Sequence, residues 1–342
     1  MARSFKRRFL ILCRTLGLFR LTRRLVARRL LILCYHGFCA GDEARFRPKL
    51  FMAAETFAGR MDVLKTSGSP ILELEEALRR LSAGTLPPNA VVVTIDDGFH
   101  GVYDRALPVL EQRGIPATVY VTSYHVLKQT PVFRLVVQYM FWRTRTATLD
   151  CTDWRWLDDS GKIALEPAKR NAVAMRVVAH GEALATEAER EALLCRLGEK
   201  LAVDYEELKH RRVFTLMSQD ELARAVTRGL DIQLHTHRHR FPPDDPVACA
   251  REILDNRSAL EPSLAYSPTH FCYPSGVWRE QHWTTLEATG VRSAVTCDPG
   301  FNDASTPRFA LKRFLDGEDV SAIEFEAEVS GFTQLLRALL RR

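Results

Sequence analysis

Short continuous apolar runs alternate along most of this chain with longer stretches whose apolar positions fall three or four apart. Residues 91–95, Val-Val-Val-Thr-Ile, form an unbroken, largely β-branched run, the pattern of a strand covered on both faces in a parallel sheet with helices outside. Runs at 30–34, 71–74, 115–122, 231–234, 269–273, 292–296 and 309–315 predict further strands. Between them, residues 50–66 place Phe51, Phe57, Met61 and Leu64 on a helical stripe, and residues 75–83 form a helix closed by Gly84. Residues 103–114, 246–260 and 283–289 read as helices too. Ser218-Gln219-Asp220-Glu221 supplies the cap and first turn of another that ends at Gly229. A basic helix is expected to close the chain at 332–342. This alternation is that of a wound parallel sheet or barrel.

The rhythm pauses between about residues 124 and 213. Residues 132–142 and most of 166–206 read as helical, and 151–157 as one arm of a hairpin. A largely helical insertion between two strands is expected, placed as a lid or one wall of a cleft.

Composition adds little until charge is mapped along the chain. The 342 residues, 46% hydrophobic and 26% charged, suffice for one α/β barrel or two ordinary domains. The net charge of +6 is concentrated at one end. Residues 1–30 carry ten basic side chains (Arg3, Lys6, Arg7, Arg8, Arg14, Arg20, Arg23, Arg24, Arg28, Arg29) and no acid, which leaves the body mildly acidic. No apolar run there approaches the ~20 residues of a membrane span, and Arg14 interrupts what would be the core of a signal peptide. Two readings stay open: a basic amphipathic segment lying on an anionic membrane surface, or a helix packed on the body with a solvated arginine face. Nothing motif-like accompanies the basic charge, which disfavours nucleic acid as a partner. The eight cysteines are scattered without a C-x-x-C pair, which suits reduced thiols in a cytosolic protein better than a disulfide framework.

Two stretches carry candidate chemistry. The central strand stops at Asp96-Asp97-Gly98, and the C-terminal end of a buried parallel strand is where α/β barrels place their reactive groups. Adjacent carboxylates resist joint ionisation unless a cation shares the site. Residues 231–234 lead into His235-Thr236-His237-Arg238-His239. His235 and His239 stand at i and i+4, so a helical or turn-like segment points both imidazoles one way, with His237 a bystander. Two imidazoles and a carboxylate with an open position form a common divalent-metal hydrolase set.

Thr94-Ile95-Asp96-Asp97-Gly98 resembles the T-F-D-D-G signature of the polysaccharide deacetylases, the NodB-homology family. His235-Thr236-His237-Arg238-His239 matches its H-[ST]-x-x-H motif, and Phe271-Cys272-Tyr273-Pro274-Ser275-Gly276 is similar to its F-R-x-P-Y-G motif. The resemblance covers about residues 31–316. It implies an α/β fold, a distorted (β/α) TIM-like barrel with the helical insertion, and metal-dependent removal of N-acetyl groups from sugars. The same resemblance makes Asp97, His235 and His239 the ligands of a divalent metal, most simply zinc, and Asp96 the catalytic base. Thr236 would hydrogen-bond to hold the ligand loop. A backbone N–H at Ser275 would serve the oxyanion hole.

Two departures from the family pattern matter. The Arg that usually orients the base is Cys272 here, and Arg313 is the best replacement. The family's late general-acid His is missing after Cys297. A permuted branch resembling the poly-N-acetylglucosamine deacetylases carries that His after the first strand, where Tyr35-His36 stands, with His270 the rival. Within this frame Trp154 and Trp156 could stack on sugar rings, although their alternation more often gives one packed and one exposed ring.

The expectation is therefore a basic segment at 1–30 and a deacetylase-like domain at 31–342. Its substrate would be an N-acetylated amino sugar of a polysaccharide or of a lipid- or nucleotide-linked precursor. Its location would be cytoplasmic and, on the membrane reading of residues 1–30, peripheral on the inner face of the membrane. The alternatives are a deacylase or deformylase of another amide, and a catalytically weak carbohydrate-binding relative.

Overall fold

The computed structural model describes residues 2–158 and 160–340, with side chains from Ser4 onward. Two compact units divide the chain: one takes both ends, up to Leu127 and from Met217, and the other is Lys128–Leu216.

The first unit is built on seven parallel strands: β1 (Leu31–Tyr35), β2 (Val91–Ile95), β3 (Ala117–Val121), β4 (Leu230–Leu234), β5 (His270–Cys272), β6 (Ser293–Val295) and β7 (Phe314–Leu315). Their order is β6-β5-β4-β3-β2-β1-β7. β1 and β2 pair along their whole length, from Leu31 opposite Val91 to Tyr35 opposite Ile95. The segment before β7 joins the two edges. Leu311 bridges to Val295 of β6, and Phe314 then pairs with Leu33 of β1. The sheet thus curls into a distorted parallel barrel, one of the two arrangements that the alternation of runs allows and the one that the family resemblance implies.

All five residues of β1, β2 and β3 are buried, as expected for strands wrapped by helices. Ile32, Val92, Tyr120, Cys272, Val295 and Leu311 form one core cluster inside the curl. Leu74, Ala77 and Leu81 of helix Leu74–Ser82 join it, with Leu30 and Ala90, which precede their strands. That helix plugs the N-terminal end of the barrel and leaves the C-terminal end for chemistry. The strand expected at 71–74 shrinks to a single bridge, Ile71 to Val91. Leu74 instead starts the plug helix, because the helical spacing of Leu74, Ala77 and Leu81 competes with the short apolar run. The helix expected at 103–114 opens as a π-turn, Val102–Ala106, before Leu107–Arg113.

The basic N-terminal segment forms helices Ala2–Thr15 and Leu18–Leu25, broken at Gly17 in the left-handed region (φ 77°). Leu10, Cys13 and Phe19 pack against Ile323, Ala327 and Phe332 of the C-terminal helices Ala322–Val329 and Phe332–Leu340. Lys6 pairs with Glu324 at 2.6 Å and Arg14 with Glu326 at 3.0 Å. Arg341 and Arg342, which the sequence assigns to the closing helix, lie outside the described residues.

The second unit contains helices Phe133–Arg143, Pro167–Ala183, Glu187–Leu201 and Tyr205–His210. Its hairpin pairs Thr148–Asp150 with Lys162–Ala164, so residues 151–157 form part of the connection rather than an arm. Trp154 is buried, while Trp156 is partly exposed and stacks on His180 at 3.7 Å.

One close approach shapes the end of the barrel near β1. Gly101 lies against the carbonyl of Phe38, and a Cβ there would fall inside contact distance of that oxygen. Backbone cannot move aside as a flexible side chain does, so Gly101→Ala should cost roughly 1–3 kcal/mol. A urea-melt midpoint equal to wild type would show that the two segments are free to separate.

Candidate active site

The C-terminal ends of the strands carry the reactive side chains. Strand alternation aims residues i and i+2 to one side, so Thr94 with Asp96, and Cys34 with His36, project together. β2 gives way to Asp97 and Gly98, both in the left-handed region (φ 70° and 83°). The Asp97 carbonyl accepts from Thr122 N at 3.2 Å and so ties the turn to the end of β3. The Asp-Asp pair is thereby split, each carboxylate having its own partners.

Asp97 faces the histidines. Its Oδ1 lies 3.4 Å from His235 Nε2 and 3.5 Å from His239 Nε2. One ligand atom from each of the three residues falls within a 4.8 Å sphere of mutual distances. Four ligands at about 2.1 Å in a tetrahedral arrangement stand about 3.4 Å apart, so these spacings fit a zinc-sized ion. The tautomer fits too. His235 Nδ1 is 2.8 Å from the carbonyl oxygen of Cys272; a carbonyl only accepts, so Nδ1 carries the proton and Nε2 presents its lone pair. The site residues therefore suit a divalent cation.

The approach of the two imidazoles does not come from a helix. Thr236 (φ 63°) and His239 (φ 55°) both adopt left-handed backbone, and this loop folds His239 back towards His235. The Thr236 hydroxyl is buried and without a hydrogen-bond partner among the described residues, which corrects the expectation that it ties the loop down. Helix Pro246–Leu260 does that instead. Asn256 Oδ1 accepts from His235 N at 3.0 Å while its Nδ2 donates to the Val121 carbonyl at 3.0 Å. Glu252 accepts from Arg238 N at 2.7 Å. His237 turns aside to Ser123 Oγ at 2.8 Å.

Asp96 is held by a different cation. Arg313 Nη1 donates to Asp96 Oδ1 at 2.7 Å and Nη2 to Oδ2 at 2.8 Å, a two-pronged ion pair with both side chains almost fully buried. Arg313 Nε donates to the Thr296 carbonyl at 2.9 Å, Nη1 also to Thr94 Oγ1 at 3.2 Å, and Nη2 also reaches Cys272 Sγ at 3.1 Å. Burial by itself raises the Asp96 pKa, but the Arg313 charge and its hydrogen bonds outweigh it and hold the carboxyl far below the usual carboxylate range. Cys272 Sγ and Cys34 Sγ stand 3.3 Å and 3.5 Å from Asp96 Oδ2. Burial pushes both thiols well up, so they remain neutral beside the pair.

His36 Nε2 lies 3.9 Å from Asp96 Oδ2, and its Nδ1 is buried without a partner among the described residues. His270 is at the opposite, N-terminal end of β5, bonded to Ser293 Oγ at 2.8 Å and to Glu75 at 2.9 Å. Ser275 sits in an exposed left-handed turn (φ 56°) just beyond β5, and Cys272 lies inside the barrel beside Arg313. The structure thus gathers Asp97, His235 and His239 in one group and Asp96, Arg313, Cys272, Cys34 and His36 in another beside it. Sequence reasoning missed Cys34, Thr94, Glu252 and Asn256. The last two interrupt the buried face of their helix, between Cys249, Ile253 and Leu260, and polar residues on such a face are the signal that would have found them.

The polysaccharide deacetylase profile matches residues 83–164 and 186–294, more than half of the chain. The chain belongs to the polysaccharide deacetylase family. His36 and Arg313 lie outside the matched stretches. A poly-beta-1,6-N-acetyl-D-glucosamine N-deacetylase of Staphylococcus epidermidis is 31% identical over 72 residues, which cover 21% of this chain and 25% of that relative. The match therefore spans about a quarter of that curated relative's length. Among solved structures, the Streptococcus pyogenes deacetylase PplD, in complex with acetate, aligns with a TM-score of 0.57 at 17% identity, covering 88% of this chain and 98% of that one. IcaB from Ammonifex degensii aligns at 0.56 and 18%, covering 90% and 97%. At such identities these two show the fold, which is the deacetylase barrel.

The Asp96–Arg313 pair yields a sharp expectation. Removing one partner of a buried ion pair leaves an uncompensated charge, so Arg313→Met should destabilise the protein by about 3–5 kcal/mol near neutral pH. In wild type the folded-state pKa of Asp96 is depressed, so its contribution is complete above the unfolded value of about 4 and is lost as pH falls below that. In the variant burial dominates and raises the pKa, so protonation relieves the defect. The penalty, read by urea melts, should shrink from about pH 8 to about pH 5. A penalty that is small or independent of pH would show that Arg313 does not carry the Asp96 charge.

Proposed function

We propose that this protein is a metal-dependent hydrolase that removes N-acetyl groups from an amino sugar of a polysaccharide or of its lipid- or nucleotide-linked precursor. The observation that carries the proposal is the grouping of Asp97, His235 and His239 at ligand spacing beside a separately ion-paired Asp96. Asp97, His235 and His239 would hold the ion, and zinc suits their donor set and spacing best. When bound, such an ion supplies Lewis-acid polarisation of the amide carbonyl and a nucleophile of lowered pKa.

The chain's own residues do the rest. Asp96, kept ionised by Arg313, takes the proton of the attacking water as its oxygen bonds to the acetyl carbon. The backbone N–H at Ser275 donates to the oxygen on which negative charge develops. The carbon–nitrogen bond then breaks, and the nitrogen leaves as a free amine with a proton from His36, acetate being the other product. Arg313 is a positioning residue: it fixes the Asp96 carboxylate on both oxygens, and Oδ1, which takes only the Arg313 bond while Oδ2 also faces the Cys34 and Cys272 thiols, keeps a further lone pair for the water. Thr94 and Cys272 hold Arg313 in turn. Cys272 stands where the family pattern has Arg, and a small neutral thiol there leaves room for the guanidinium that arrives from Arg313.

A cytoplasmic location belongs to the same proposal. Its support is that all eight cysteines are free thiols, most of them buried, which suits a reducing compartment.

The ligand and base roles separate by mutation. His235→Ala and His239→Ala should lose bound zinc in metal analysis of protein purified under zinc-replete conditions. Asp96→Asn should keep the metal while deacetylation falls by roughly 10²–10⁴. Wild type without bound metal would refute the hydrolase reading. His36→Ala should lower kcat by roughly 10²–10⁴ with metal content and melting temperature unchanged. Near wild-type turnover on an N-acetyl sugar would remove His36 from the acid role.

A further inference from the structure

The N-terminal helices are packed on the body, yet they leave a second apolar face uncovered. In helix Ala2–Thr15, Leu10 and Cys13 point into the cluster with Ile323, Ala327 and Phe332. Phe5, Phe9, Leu12 and Leu16 fall at i, i+4, i+7 and i+11, one continuous stripe running off the end of that helix. They are 76%, 40%, 55% and 67% exposed. The next helix repeats the arrangement: Phe19 is buried, while Leu21 and Leu25, one turn apart, are 54% and 64% exposed. Contiguous exposed apolar residues of this size mark an interaction surface.

Charge decides what the surface meets. Lys6, Arg14 and Arg29 are engaged with Glu324, Glu326 and Asp303. Arg7, Arg8, Arg20, Arg24 and Arg28 are exposed and have no carboxylate within ion-pair reach among the described residues. Free guanidinium groups flanking large apolar side chains on short helices match an anionic bilayer, whose headgroups take the charge while the acyl boundary takes the stripe. Among the described residues no helix is long and apolar enough to cross a membrane.

We propose that the two N-terminal helices are a membrane-docking platform for anionic lipid, fixed to the barrel through Leu10, Cys13 and Phe19 so that docking orients the whole unit. A loose basic tail would tether the barrel without orienting it; here the same helix that would meet lipid is ion-paired to helix Ala322–Val329 through Glu324 and Glu326. The proposal is independent of the catalytic reading.

Flotation of the full-length protein with vesicles tests it, using phosphatidylcholine alone and phosphatidylcholine mixed with phosphatidylglycerol. Wild type should float with the anionic vesicles, stay behind with the neutral ones, and detach as salt rises. Arg8→Gln/Arg20→Gln/Arg24→Gln should weaken partitioning roughly 100-fold, about fivefold per charge. Leu12→Gln/Leu16→Gln should weaken it roughly tenfold or more. All these positions are exposed, so melting temperatures should match wild type. Equal partitioning of wild type into both vesicle types, or of wild type and both variants into the anionic ones, would overturn the proposal. So would sedimentation showing a dimer that Leu12→Gln/Leu16→Gln dissociates, because the stripe would then be covered by a second copy.

Discussion

The buried ion pair between Asp96 and Arg313 is the interaction on which the site depends. A carboxylate almost fully buried inside a barrel is stable only with its charge matched, and the match comes from the segment that closes the barrel. Leu311 joins that segment to β6 and Phe314 joins it to β1, with Arg313 between them. Closing the sheet and delivering the guanidinium to Asp96 are therefore one event. Folding and pairing of the Asp96 carboxylate are coupled through a single side chain.

That coupling also explains how two adjacent acids take different roles. Asp96 and Asp97 are neighbours in sequence, but the left-handed turn at Asp97 sends them to separate partners. One meets a permanent cation of the protein and stays ionised without outside help. The other meets two imidazoles that offer lone pairs and no fixed charge, an arrangement that suits a divalent cation. On the proposed reading, each acid of the Asp-Asp pair has its own counterion.

The elements with the strongest patterns were legible in the sequence. The β-branched run at 91–95 and the helix 246–260 appear as the pattern predicts, and the motif residues lie at strand ends. What was not legible is three-dimensional. The i, i+4 spacing of His235 and His239 suggested a helix or turn, but left-handed backbone at Thr236 and His239 brings the rings together, and nothing in the residue types announces it. The loop-holding role expected of Thr236 is met by Asn256 and Glu252, remote in sequence and visible only once the helix packs. Arg313 stood out as the replacement for the missing motif Arg, yet its fit depends on Cys272 being small, which the motif comparison registers only as a loss. At the N-terminus the packed face is visible through Leu10, Cys13 and Phe19, while Phe5, Phe9, Leu12 and Leu16 stay exposed and carry the membrane proposal.

The most direct test of the account is mass spectrometry of N-acetylated sugars, free, lipid-linked and nucleotide-linked, incubated with the zinc-loaded protein. The account predicts conversion of at least one class to the free amine with release of acetate, dependent on the metal and slowed by roughly 10²–10⁴ in the Asp96→Asn protein. Binding of these sugars without loss of acetyl from any of them would contradict it and leave a carbohydrate-binding relative in its place.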